Sequence, residues 1–148
     1  MNIIRIADNK KRFLDLLLLA DEQESMIDRY LGRGDMFALY EDNVLIAVCV
    51  VTDEGDGVYE IKNIAVYPQY QRRGYGKHLI DFLFEYYSVS CRTMLVGTGD
   101  SPLTISFYEH CGFVHSHCVP GFFTDHYDHP IFENGKQLVD MIYLKKEF

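Results

Sequence analysis

Apolar side chains recur along this chain with two different periods, and the two periods alternate. Residues 9–20 and 75–87 carry them at the three- and four-residue spacing of amphipathic helices. Residues 36–40, 44–52 and 58–66 are mostly apolar runs separated by the turn sequences EDN and DEGDG, which is typical of an antiparallel meander. The full predicted order is strand 2–7, helix 9–20, helix 22–31, strands 36–40, 44–52 and 58–66, a helix from 74 or 75 to 87, strand 93–96, helix 103–111, strand 113–117, a turn-rich segment 119–136 and strand 138–145.

This order predicts one α/β (α+β) domain that spans residues 1–148. We expect a central mixed, mostly antiparallel sheet of about seven strands, with about four helices on both faces. A chain of 148 residues is close to the usual size of one domain. The turn-rich segment is longer than an ordinary connection, so we expect it to be functional or mobile.

The composition narrows the choice of partners. The formal net charge is −8, which argues against a general nucleic-acid or anionic-membrane binder because those partners are themselves negative. The longest apolar run, residues 44–51, is too short to cross a membrane, and residues 1–13 do not resemble a signal peptide. No CxxC spacing is present, so we expect a cytoplasmic protein with reduced, mostly buried thiols, namely Cys49, Cys91, Cys111 and Cys118.

The sequence QRRGYG at residues 71–76 stands where a strand ends and a helix begins. Backbone N–H groups are unpaired at a helix start, the helix dipole adds positive charge there, and glycines let a ligand approach closely. With the full charges of Arg72, Arg73 and Lys77, this turn predicts a phosphate or pyrophosphate site. A Walker loop needs Ser or Thr after its Gly-Lys pair, and a dinucleotide fingerprint needs a third glycine, so neither motif fits. A purely structural turn is the alternative.

Residues 71–76 resemble the signature [QR]xxGx[GA] of the GNAT superfamily of acyl-CoA-dependent N-acyltransferases. The resemblance extends upstream through EIKNIAVYPQYQ and downstream to SFYEHCGF, and the predicted element order is similar to the family fold over essentially the whole chain. It implies the GNAT fold, acetyl-CoA as co-substrate, no metal, a small-molecule or protein amine as acceptor, and no nucleic-acid or membrane partner. It also allows a homodimer.

The resemblance further implies which residues hold the coenzyme. Backbone amides of residues 71–76 would hold the pyrophosphate, and the backbone of residues 64–66 would hydrogen-bond the pantetheine arm as a neighbouring strand does. Many members carry an asparagine seven residues before a tyrosine of the following helix, where this chain has Ser101. Serine can still hydrogen-bond, although Ser101 is also a good N-cap for the helix that Pro102 begins. The coenzyme-binding residues so implied are Ile64, Ala65, Val66, Gln71, Arg72, Arg73, Gly74, Tyr75, Gly76, Lys77, Ser101 and Tyr108.

Acyl transfer from a thioester to an amine needs a base for the amine, donors for the oxyanion and a proton for the departing thiolate. By resemblance, Tyr108 protonates the coenzyme A sulfur; a core aromatic is the alternative. Glu60 is the candidate base, because it is a carboxylate in an otherwise mostly apolar strand and its offset from Gln71 resembles that of the catalytic glutamate in histone-acetylating members. The alternative is a solvated glutamate paired with Lys62. By resemblance, a backbone N–H near Ile64 or Ala65 stabilises the oxyanion.

The aromatic segment 120–137 is expected to form one wall of the acceptor pocket. Its carboxylates, Asp125, Asp128 and Glu133, would face a cationic amine. The histidine pairs at 115/117 and 126/129 lack an HExxH or Cys/His pattern, so we predict no metal site.

We predict an N-acetyltransferase that transfers the acetyl group to a primary amine by direct attack in a ternary complex. A non-catalytic acyl-CoA sensor or regulatory module is the alternative. An enzyme that uses another acyl thioester, with residues 96–98 setting acyl length, and a covalent route through Cys111 or Cys118 also stay open.

Overall fold

The computed structural model describes residues 1–148. Its helices are α1 (Leu14–Ala20), α2 (Glu24–Ile27), α3 (Tyr75–Tyr86), α4 (Pro102–His110) and α5 (Phe122–His126), with 3-10 turns at Lys10–Phe13 and Pro68–Tyr70. Its strands are β1 (Asn2–Ile6), β2 (Asp35–Glu41), β3 (Val44–Gly55), β4 (Val58–Val66), β5 (Thr93–Gly99), β6 (Val114–Val119), β7 (Phe132–Glu133), β8 (Lys136–Gln137) and β9 (Met141–Glu147). None of the helices is long and apolar enough to span a bilayer.

Seven strands form one mixed sheet in the order β1-β2-β3-β4-β5-β9-β6, and β7 and β8 form a separate hairpin. Only β4 and β5 run parallel; every other neighbouring pair is antiparallel. The predicted class, an α/β fold with a mixed, mostly antiparallel sheet, is therefore confirmed. The predicted meander is also present, and the turn between β2 and β3 places Asp42 and Asn43 in the left-handed region, with φ of 50° and 65°.

Apolar cores cover both faces of the sheet. On one face, α1 and α2 pack through Leu16, Leu17 and Ile27. On the other face, α3 packs through Leu79, Ile80 and Leu83, beside Tyr108 of α4. Alternation along the strands assigns each side chain to one face, because successive residues of a strand point to opposite sides. The two cores hold the sheet between layers of helix.

The pairing of β4 with β5 stops half-way along both strands. Residues 58–61 of β4 pair with residues 93–96 of β5, and beyond Ile61 and Val96 the two strands pair only with their other neighbours. A β-bulge lies at the same place, because Val50 and Val51 of β3 face Asn63 and Ile61, which leaves Lys62 as the extra residue. The sheet therefore splits open after Ile61, and the inner edges of both strands border the opening.

Three predicted elements were wrong in detail. The segment 119–136 is not only turns: it contains α5 and the β7–β8 hairpin. The last strand begins at Met141 and not at residue 138, because Leu138 is buried in a small core with Phe123 and Ile131. The second helix is a single turn, Glu24–Ile27, followed by turns rather than by more helix. Tertiary packing overrides local propensity in such short segments.

Candidate active site

The turn before α3 exposes a run of backbone donors. The N–H groups of residues 72–77 make no hydrogen bond within the chain; the first amide of this region to find a partner is that of His78, which donates to the Gly74 carbonyl at 3.0 Å. Arg72 and Gly74 are both left-handed, with φ of 63° and 88°. Alternating conformations of this kind turn successive N–H groups toward one concave surface, which is a common anion site. The turn is thus built for a phosphate.

The two glycines of the turn have different roles. A Cβ added at Gly74 would meet nothing within 4 Å, so glycine is required there for its φ and for open space in front of the backbone. A Cβ added at Gly76 would come within 3.0 Å of Phe107 on α4. Glycine at position 76 therefore permits close packing of α3 against α4, which sequence reasoning had not distinguished from room for a ligand.

The three cations near the turn are not equivalent. Lys77 pairs with Asp81 one helical turn along α3, at 2.8 Å, and this carboxylate raises the pKa of Lys77. The Arg73 guanidinium lies over the Tyr70 ring, 5.9 Å from its centroid, and does not line the cleft. Arg72 lines the cleft and has no acidic partner. Of the three, Arg72 is therefore the cation free to contact an anion at this site.

The open edge of β4 presents donors and acceptors to the split. Tyr67 donates its N–H to the Ile46 carbonyl of β3 at 3.1 Å. Since alternate residues of an antiparallel strand direct their backbone groups to opposite sides, Ala65 also faces β3, whereas Ile64 and Val66 face the split. The Gln71 side chain occupies the Val66 carbonyl at 3.0 Å. Of the predicted backbone contacts at 64–66, those of Ile64 and Val66 face the split, whereas the backbone groups of Ala65 face β3 and its side chain is buried in the core beside α1.

A cleft of about 1400 Å³ joins these features. It begins at the phosphate turn, follows the split between β4 and β5, and ends between α1, α2 and the segment that contains α5. Ten of the predicted site residues line it: Glu60, Ile64, Val66, Gln71, Arg72, Gly74, Tyr75, Gly76, Lys77 and Tyr108. Ala65, Arg73 and Ser101 do not.

Tyr108 lies on α4 where the cleft passes the split. Its side chain is buried against Phe113 and Phe107. The alternative that Tyr108 is a core aromatic is therefore correct for its ring. It also lines the cleft, and no side chain hydrogen-bonds its hydroxyl. Burial raises the pKa of Tyr108, and the nearby Cys111 and Glu133 raise it further. A tyrosine in this setting keeps its proton at neutral pH.

Glu60 is buried, with 7% of its surface exposed, and is held by two donors. Tyr143 of β9 donates its hydroxyl to Glu60 Oε2 at 3.0 Å, and Lys62 Nζ lies 3.2 Å from Oε1. The predicted pairing with Lys62 is therefore present, but at the cleft wall and not at a solvated strand end. Tyr143 was not predicted, and no local signal could have found it, because 83 residues separate it from Glu60.

Two neighbours fix the Tyr143 ring. Gly97 stands opposite it on β5, where a Cβ would come within 3.1 Å of the ring. His117 stands opposite it on β6 and stacks on it at 4.7 Å between centroids, with an angle of 6° between planes. Burial raises the pKa of Tyr143, with a further contribution from the Glu60 charge, so the hydroxyl remains a donor.

Ser101 is at the N-cap position of α4, yet its side chain makes no capping bond. Its Oγ is buried without a partner, and the residue does not border the cleft. The alternative role of Ser101 as a cap is therefore not met, and its contact with the coenzyme stays a prediction.

Comparisons with known proteins agree with this architecture. A family model described as an acetyltransferase (GNAT) domain matches residues 32–115. An uncharacterized N-acetyltransferase of Bacillus subtilis (strain 168), YvbK, is 39% identical over 132 residues, which are 88% of this chain and 85% of that protein. The chain belongs to the GNAT acetyltransferase family. It is an acetyl-CoA-dependent acyltransferase, as the resemblance in the sequence implied.

Solved structures extend the similarity over the whole chain. A GNAT family acetyltransferase from Elizabethkingia anophelis with acetyl-CoA bound superposes with a TM-score of 0.94 at 32% identity, covering 99% of this chain and 97% of that one. A Bacillus subtilis acetyltransferase in complex with CoA gives 0.91 at 35% identity, covering 99% and 98%. The predicted GNAT fold is confirmed, and the free amides before α3 suit the anionic part of the coenzyme.

The far end of the cleft in this GNAT acetyltransferase is closed by a hydrogen-bonded network. Asp21, just after α1, accepts hydrogen bonds from Tyr30 at 2.9 Å and from Tyr127 at 2.6 Å. The Asn63 side chain of β4 donates to the Tyr30 hydroxyl at 3.1 Å and to the Leu17 carbonyl at 3.0 Å. Burial raises the pKa of Asp21 although both tyrosines act against the rise. The network joins β4, the α1–α2 region and the segment after α5.

The expectation for the carboxylates of segment 120–137 was mostly wrong. Asp125 and Asp128 do not line the cleft, and Asp128 instead contacts His129 at 2.6 Å. Glu133 does line it and accepts a hydrogen bond from Thr104 at 2.9 Å. The wall that this segment gives to the cleft is largely apolar, through Phe122, Phe123, Tyr127, Ile131 and Phe132. No group of three His, Cys, Asp or Glu side chains comes together as a metal site.

Proposed function

We propose that this protein transfers an acetyl group from acetyl-CoA to a primary amine by direct attack in a ternary complex. The observation that carries the proposal is the split in the sheet. It leads from unpaired backbone donors at one end, along an open strand edge, to a buried carboxylate and a buried tyrosine at the other. A phosphate group, an extended amide-bearing arm and a reacting carbonyl need these three environments in this order.

The binding roles follow from the free groups. The amides of residues 72–77 and the Arg72 guanidinium hold the pyrophosphate, since both are unsatisfied within the chain. The Ile64 carbonyl and the Val66 N–H, which face the split, bond the pantetheine arm, which lies beside β4 in place of a strand. The acyl end of the coenzyme then reaches the split near Val96 and Thr98, which line the cleft.

Each chemical step has a residue in this arrangement. Glu60 accepts the proton of the attacking amine, whose nitrogen forms the new bond to the carbonyl carbon. The N–H of Ile64, which faces the split, stabilises the oxyanion. Tyr108 gives its proton to the sulfur as the carbon–sulfur bond breaks, so the products are the N-acetylated amine and the free thiol. Tyr143 and Lys62 hold the Glu60 carboxylate in place.

The thiols of the chain support direct attack over a covalent acyl-enzyme. Cys111 lines the cleft, but burial raises the pKa of its thiol, and a protonated thiol is a poor nucleophile. Cys118 lies exposed on β6 and outside the cleft. All four cysteines are free.

The test measures binding and turnover separately. Calorimetry with acetyl-CoA reports the coenzyme site, and thiol release from acetyl-CoA with a panel of amines reports transfer. We expect binding together with amine-dependent thiol release that falls sharply in Tyr108→Phe. Binding without release for any amine would contradict the enzymatic role and favour an acyl-CoA sensor.

A further inference from the structure

The carboxylates at the acceptor end of the cleft are already neutralised or hydrogen-bonded by neighbours. Four of them line this end, and each has a partner in the chain: tyrosine hydroxyls, a lysine, a histidine or a threonine. Separating a carboxylate from a partner at a poorly solvated wall costs free energy that a ligand must restore. They are Asp21, Glu22, Glu60 and Glu133.

One of the three cations at the same end has no acidic partner. Arg33 pairs with Glu54 at 3.0 Å, and Lys62 pairs with Glu60. Arg29 is exposed and has no acidic partner; its guanidinium donates to the Met26 sulfur, at 3.4 Å. The cleft thus has one unmatched guanidinium at each end, Arg72 at the phosphate turn and Arg29 beside the acceptor wall. A ligand that fills the acceptor end meets an unmatched positive charge.

We infer that the acceptor is an amine that carries its own carboxylate next to the nitrogen, as an α-amino acid does. Glu60 Oε1 and Lys62 Nζ lie 3.2 Å apart, so a negative and a positive group stand side by side in the cleft wall. An α-amino acid bears its ammonium and carboxylate on one carbon, and it can lie across this pair with each charge facing its opposite. The amino group then approaches Glu60, and Arg29 provides the additional positive charge for the carboxylate.

The rest of the acceptor end favours an apolar side chain on that amino acid. Phe122, Phe123 and Met141 also line the cleft. The network of Asp21 with Tyr30 and Tyr127 is complete without a ligand, so the second ammonium of a polyamine would have to displace these hydroxyls to pair with Asp21. The products are an N-acetyl amino acid and coenzyme A.

This inference rests on the proposed function, and the experiment separates the two. Thiol release from acetyl-CoA is measured with matched pairs that differ only in the carboxylate: L-phenylalanine with 2-phenylethylamine, and L-leucine with 3-methylbutylamine. Spermidine is the polycationic comparison. Rates are compared at equal concentrations of the unprotonated amine, because the members of a pair differ in amine pKa. We expect kcat/KM to be at least about tenfold higher for each amino acid than for its decarboxylated partner.

The Arg29→Gln variant tests whether the guanidinium contacts the carboxylate of the acceptor. It should raise KM for the amino acid by about tenfold and leave the decarboxylated amine unchanged, since only the former carries a group for the guanidinium. Arg29→Lys should retain part of the preference. Arg12→Gln is the control, because it removes an exposed arginine that lies outside the cleft. It should leave KM unchanged for both the amino acid and the decarboxylated amine.

Equal or better turnover of the decarboxylated amines or of spermidine would overturn this inference and leave the proposed function intact. So would an Arg29→Gln variant that lost activity equally on both members of a pair. If acetyl-CoA binds and no amine of the panel is acetylated, the proposed function fails, and the inference about the acceptor fails with it.

Discussion

The two ends of the cleft satisfy their polar groups in opposite ways. At the coenzyme end, the backbone amides of residues 72–77 and the Arg72 guanidinium have no partner in the chain. At the acceptor end, Asp21 takes two tyrosine hydroxyls and Glu60 takes a tyrosine and a lysine. Unpaired donors can bind an anion without losing any contact within the chain. A ligand at the satisfied end must instead fit around existing hydrogen bonds or replace them. The unsatisfied donors lie at the coenzyme end of the cleft, and the satisfied carboxylates lie at its acceptor end.

The largest expected effect tests the coenzyme end. Gly74→Asp should weaken acetyl-CoA binding by more than about 100-fold, because it puts a side chain at a φ of 88° and a negative charge in an anion site. Calorimetry measures the loss. Gly55→Asp is the matched control, since Gly55 has a φ of 90° and equally open surroundings in the β3–β4 turn. Similar affinity in both variants would remove the phosphate role from the turn.

The next effect concerns the proton for the leaving thiolate. Tyr108→Phe should lower kcat by about 100-fold with unchanged acetyl-CoA affinity, because it removes the acid and keeps the buried ring. The raised pKa of Tyr108 also predicts that this acid causes no fall in rate below pH 10, because the hydroxyl stays protonated there. Tyr86→Phe, on the exposed face of α3, is the control. Normal turnover in Tyr108→Phe would remove Tyr108 from the mechanism.

A smaller effect tests how the acceptor end holds its carboxylate. Tyr143→Phe should lower kcat by about tenfold, because Glu60 loses one of its two donors. Combined with Glu60→Gln, it should slow the enzyme no further than Glu60→Gln alone, since positioning has no effect once the carboxylate is gone. Steady-state thiol release measures this cycle, with Tyr59→Phe as the control. Additive losses would show that Tyr143 acts on stability and not through Glu60.

The smallest expected effect concerns the surface ion pairs of His129, at the outside of the acceptor wall. His129 contacts Asp128 and Glu22, and these carboxylates raise its pKa. A raised pKa means that the contribution to stability is complete below the ordinary value near 6.5 and is lost as pH rises through the raised value. The melting temperature of the native protein should exceed that of His129→Gln by about 2 °C at most at pH 6, and the difference should vanish at alkaline pH. A difference that grows with pH would contradict this assignment.

The sequence determined the local features of this protein. Two hydrophobic periods predicted the order of α1 to α4 and of the seven strands of the main sheet, and the QRRGYG turn indicated unpaired donors at a helix start, because such patterns depend on a few consecutive residues. Long-range register decided the rest. The split after Ile61, the choice of Ile64 and Val66 over Ala65, and the contact of Glu60 with Tyr143 depend on how distant strands pair. The link between Asp21 and Tyr127 spans 106 residues, and no local pattern encodes a contact of that range.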